Sequence, residues 1–75
     1  MPARNRTLRS LGLRVRHLRE ASDFSQESLG EKAQLDQTYI SGIERGVRNP
    51  SVIVLARLAA ALRISLAQLF EGVGK

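Results

Sequence analysis

Seventy-five residues, with no cysteine and twelve Lys and Arg against seven Asp and Glu, set the outer limits. A chain of this length is one modest domain that buries about two-thirds of its unfolded surface, and without cysteine it has neither disulfides nor thiolate metal sites to reinforce it. The net charge of +5 suits a polyanionic partner, while no apolar run long enough for a bilayer and no secretory signal pattern point to a membrane or to export, so a reducing cytoplasm is the expected location.

The positive charge is concentrated early: Arg4, Arg6, Arg9, Arg14, Arg16 and Arg19 all precede the first acidic residue, Glu20. Residues 1–7 lack apolar periodicity and are expected to form a flexible basic arm. From there Leu8, Leu11, Val15 and Leu18 recur at three- and four-residue steps, predicting a first helix that ends near Ser22-Asp23. Phe24 precedes Ser25, an N-cap for a second helix with Gln26, Glu27, Leu29 and Ala33, and Glu27 suits its first turn. Only Gln34-Leu35 separates Ala33 from the next N-cap, Asp36. A third helix then runs from Gln37 to Arg45, with Gly46 as terminator. Two short helices so tightly joined make a helix-turn-helix unit.

Val47-Arg48-Asn49-Pro50 reads as a loop. Ser51 caps a fourth helix, Val52 to Leu62, and Ser65 caps a short fifth, Leu66 to Phe70. The expected fold class is therefore all-α: five helices in one domain over residues 8–71, with a frayed end at 72–75.

The third helix carries the most information. At 100° per residue Ile40 and Ile43 point to the core, and Gln37, Thr38, Ser41 and Arg45 gather on the opposite face. Gln can pair with adenine N6 and N7, and a Thr methyl can meet a thymine methyl. The alternative is an ordinary solvated face, since Gln, Thr and Ser are common on surfaces.

No catalytic constellation can be assembled. His17 is the sole histidine, and no nucleophile elbow, zinc motif or phosphate-binding Gly-Lys-Ser/Thr loop occurs. No enzyme activity, metal or cofactor is expected. The fourth helix is apolar almost all round, with only Arg57 interrupting. Val52, Leu55, Leu58, Ala59 and Leu62 supply an inward stripe, which leaves Ile53 and Val54 without a partner, beside Leu66 and Phe70. These four predict a two-fold dimer interface that compensates for the small core.

The string from Ser25-Gln26-Glu27-Ser28-Leu29 through Leu35-Asp36-Gln37-Thr38-Tyr39-Ile40-Ser41-Gly42-Ile43-Glu44-Arg45-Gly46 to Arg48-Asn49-Pro50-Ser51 resembles the Cro/phage-repressor (XRE-like) helix-turn-helix family. The likeness covers about residues 8–70 and extends to the small controllers of restriction–modification systems. It implies a lambda-repressor-like domain that binds duplex DNA as a homodimer on a palindromic operator and regulates transcription. It further implies base contacts from Gln37, Thr38 and Ser41, and phosphate contacts from Gln26, Tyr39, Arg45, Arg48 and Asn49. Arg19 and Glu44 match a buried ion pair that locks the first helix to the third. Two positions depart from the pattern. Gly42 stands where relatives carry a long side chain, and Gln34 stands at a turn where many carry Gly. RNA polymerase or another protein is a further candidate partner. The rival reading is an antitoxin-like interaction module whose DNA binding is secondary.

Overall fold

In the computed structural model, which describes residues 5–74, five helices follow one another: α1 (Arg6–Ala21), α2 (Gln26–Ala33), α3 (Gln37–Glu44), α4 (Val52–Ala61) and α5 (Leu66–Leu69). Each begins at a side chain that satisfies an otherwise unpaired amide of its first turn. Asn5, Ser25, Asp36, Ser51 and Ser65 accept from the backbone N–H of Leu8, Ser28, Thr38, Val54 and Gln68 respectively. In α2 and α5 the bond is reciprocated, with Ser28 and Gln68 accepting from the cap residue's own amide.

Four of the helices end alike. The amides of Phe24, Leu35, Val47 and Ile64 reach back to the carbonyls of Arg19, Gly30, Gly42 and Ala59, at 2.8–3.1 Å. This wrap requires a left-handed residue just before the returning amide. Gly46 supplies it freely at φ 78°, whereas Asp23, Gln34 and Arg63 adopt φ of 61°, 59° and 61° against their own Cβ atoms. The return also delivers an apolar side chain. Phe24, Leu35 and Ile64 pack against the core, and this offsets the strain.

The core is built from Val15 of α1, Leu29 of α2, Ile40 and Ile43 of α3, Leu58 of α4 and Leu69 of α5, all essentially inaccessible. Every helix thus contributes at least one anchor. α1 crosses the end of α3, where Gly12 backs directly onto the carbonyl groups of Ile43 and Glu44 and leaves no room for a side chain. At the other end of the fold Arg14 donates to the Gln68 carbonyl at 2.7 Å and lies 3.7 Å from Glu71, tying α1 to α5.

Beyond one-residue shifts at helix ends, three features differ from expectation. Arg6 and Thr7 are helical, because Asn5 caps a polar first turn that precedes the apolar stripe; the rest of the expected arm, residues 1–4, lies outside the described residues. At the C-terminus Gly72 to Gly74 form a turn instead of a frayed end, and Val73 is half-buried on the core with its amide on the Phe70 carbonyl. Lys75 lies outside the described residues. In α4 the inward stripe is rotated. Val52 is 66% exposed, and its expected place in the core is taken by Val54 and Ala61. The reason is angular: Val52 sits in the first turn at the margin of the buried face, which centres on Leu55, Leu58 and Leu62.

Candidate nucleic-acid interface

α2 and α3 are joined by three residues, Gln34, Leu35 and Asp36. The left-handed Gln34 reverses the chain, Leu35 pins the turn to the core, and Asp36 starts α3. The Asp36 carboxylate accepts from both the backbone amide and the hydroxyl of Thr38. Those two bonds, the hydroxyl's first, hold the Asp36 carboxyl below the usual carboxylate range. They also fix Thr38 by its oxygen. Since Thr branches at Cβ, the arm it leaves free is its methyl.

Gln37 and Thr38 are exposed at the start of α3, Ser41 is half-buried one turn on, and Arg45 is exposed at the end. The four expected groups therefore share the outer face of α3, while Ile40 and Ile43 hold its inner face in the core. Charge divides this surface. Glu27, Glu31 and Asp36 line a shallow groove beside Gln37 on the α2 side, and Arg45, Arg48 and Asn49 lie exposed beyond the far end of α3.

Tyr39 and Arg48 form a unit. The Arg48 guanidinium carbon lies 5.7 Å from the centre of the Tyr39 ring, within cation–π range. Its aliphatic stem crosses Gly42. A Cβ at Gly42 would fall 2.5 Å from Arg48 Cγ and 3.3 Å from Nε. The missing side chain at Gly42 thus makes room for Arg48, a relationship that no spacing rule reveals because it spans the end of a helix.

Beneath this surface lies the lock. Arg19 Nε donates to Glu44 Oε2 at 2.6 Å and Nη2 donates to Oε1 at 3.1 Å, a two-pronged pair. A third bond, from Nη1 to the Phe24 carbonyl, closes the α1–α2 turn over it. The Glu44 carboxylate raises the Arg19 pKa further above its already high value. The resemblance implies a phosphate contact for Gln26. In the free protein its side-chain amide donates to Glu44 Oε1 at 3.0 Å and joins α2 to α3. The other amide hydrogen and the side-chain oxygen of the half-buried Gln26 remain available.

Of the four residues expected at a dimer seam, Ile53 is 68% exposed and Phe70 39%, whereas Val54 and Leu66 are half-buried against the core. Val52 takes the place of Val54 on the open face.

An all-α domain in which a capped, polar, exposed second helix follows the first after a three-residue turn is a helix-turn-helix domain. The Helix-turn-helix family matches residues 15–69, and the chain belongs to that family. Control protein C.MunI of Mycoplasma is 43% identical over 65 residues, which span 85% of this chain and 88% of the relative. Among solved structures, the restriction-modification controller C.AhdI from Aeromonas hydrophila shares 44% identity with a TM-score of 0.83, over 84% of this chain and 96% of that one. SinR, the master regulator for biofilm formation, solved in complex with DNA, is 34% identical with a TM-score of 0.76, covering 80% and 97%. The chain spans most of the controllers but only 43% of a similar regulator from Mycobacterium tuberculosis. No helix among the described residues is long and apolar enough to cross a membrane.

Proposed function

We propose that this protein binds duplex DNA sequence-specifically as a homodimer on a palindromic operator and regulates transcription in the cytoplasm, in the manner of a restriction–modification controller. It acts by binding and not by catalysis. The observation that carries the reading is the exposed start of α3. There Asp36 fixes Thr38, Gln37 stands free, and the core holds the opposite face rigid. Gln37 reads an adenine edge and the Thr38 methyl meets a thymine methyl. Ser41 adds a shorter reach, and Gln26, Tyr39, Arg45, Arg48 and Asn49 hold the phosphates that set the register. Two copies joined through the exposed face of α4 would set their α3 helices about 34 Å apart, one turn of DNA.

Selection of bound sites from a pool of random duplexes tests this. Wild type should recover a two-fold symmetric sequence. Gln37→Ala should recover one with a relaxed base pair in each half, at a cost of about 1–3 kcal/mol on the original site. Recovery of the same sequence by both would remove Gln37 from base reading, and recovery of no sequence by wild type would sink the proposal.

A second reading is that the open face of α4 docks a different protein. The exposed Val52 and Ile53 favour it, and SinR, 34% identical to this chain, is also known in a complex with the protein SinI. Sedimentation of the purified protein separates the two: a dimer favours the first, and a monomer that captures RNA polymerase or another protein favours the second.

A further inference from the structure

The exposed arginines of α1 are not equivalent. Arg16 pairs with Glu20 at 3.2 Å, while the more sheltered Arg14 and Arg19 are paired with Glu71 and Glu44. Arg6 and Arg9, in the first turns of the same helix, are exposed and have no ion-pair partner among the described residues. Arg9 packs against Gly46. A Cβ at Gly46 would lie 3.0 Å from Arg9 Cγ, 3.1 Å from its Cα and 3.2 Å from its backbone nitrogen. The start of α1 therefore touches the chain between Arg45 and Arg48, although the two segments are far apart in sequence. Arg6 lies three residues before Arg9 on the same face of α1, so two exposed arginines stand on the element that meets the Arg45–Arg48 segment.

Fold stability does not explain these two. α1 has no acidic residue in its first turn, and cations there oppose the helix dipole. Exposed guanidiniums without an ion-pair partner, beside a loop proposed to hold phosphates, call for anions in a row, and the sugar-phosphate backbone of a duplex supplies them.

We infer that Arg9, with Arg6 beside it, holds DNA phosphates in addition to those held by the α3–α4 loop, so that each protomer grips the backbone with two elements. The inference rests on the proposed DNA-binding function. Arg6 and Arg9 add affinity and salt dependence without sequence preference.

The test measures affinity against salt concentration for the full chain on its selected operator. Arg9→Ala should make the log–log slope shallower by about 0.9 for each protomer bound, and Arg6→Ala/Arg9→Ala by up to twice that, with base preference unchanged. Ethylation interference should lose the signal of the corresponding phosphate while the Arg48 phosphate remains. Arg16→Ala, which removes a guanidinium already paired with Glu20, should leave the slope as it was. Wild-type slopes for Arg9→Ala, or an equal loss for Arg16→Ala, would overturn the inference and leave the operator-binding function intact. Absence of operator binding by wild type would overturn that function itself.

Discussion

Arg19 and Glu44 meet edge to edge at 2.6 and 3.1 Å, with the Glu44 side chain only 4% exposed and that of Arg19 12%. The pair ties α1 to the last turn of α3, directly under the surface proposed to meet DNA. Glu44 also accepts from Gln26, so a single carboxylate joins three helices. Removing one member of such a pair strands the other in a place that water reaches poorly. Glu44→Ala is expected to cost about 3–5 kcal/mol, most of the stability of so small a domain. Urea unfolding checks this, and a midpoint close to that of wild type would show that the pair contributes little.

Gln34 turns the chain between α2 and α3 at φ 59° and ψ 46°, a region that costs any residue with a Cβ. Gln34→Gly should remove the strain and stabilise by up to about 1 kcal/mol, reduced by the greater freedom of glycine in the unfolded chain. Thermal unfolding decides the sign. A clear loss of stability would mean that the Gln34 side chain, which lies exposed beside Arg57, earns more than its backbone strain costs.

Gly42 and Arg48 make a prediction in which stability and binding part company. A methyl group at Gly42 displaces the Arg48 stem from its path to Tyr39, while alanine is the better helix former. Gly42→Ala should therefore melt no lower than wild type yet lose about 1.5–3 kcal/mol of DNA affinity, the worth of a charge-assisted phosphate contact. Arg48→Ala should lose as much, and the double variant no more than either alone. Additive losses in that cycle would mean that Gly42 acts independently of Arg48.

Ile53 is the most exposed large apolar side chain of the described residues and neighbours Val52 on the open face of α4. A charge there blocks a two-fold seam and leaves α3 untouched. Ile53→Glu should sediment as a folded monomer, with operator affinity reduced by far more than any single phosphate contact accounts for, because the second half-site no longer binds in concert. A variant that remains a dimer would place the seam elsewhere.

The sequence by itself determined the elements and the turn between α2 and α3. Caps at Ser25, Asp36, Ser51 and Ser65, the apolar steps from Leu8 to Leu18 and the stop at Gly46 are local signals, and local hydrogen bonds obey them. The side chain of Gln34 leaves positive φ open, and the structure decides it at 59°. The helical state of Arg6 and Thr7 is not legible in the sequence, because both are polar and carry no periodicity, leaving Asn5 as the sole mark of the start of α1. Tertiary packing decided the rest. The rotation of α4 that exposes Val52 and half-buries Val54 depends on where the other helices leave space. Arg48 over Gly42, Gln26 on Glu44 and Arg9 against Gly46 each join side chains whose separation along the chain says nothing of their distance. Those contacts exist because the buried faces of α1, α2 and α3 fix the angles at which the helices cross, and the crossing angles then choose the neighbours of every exposed group.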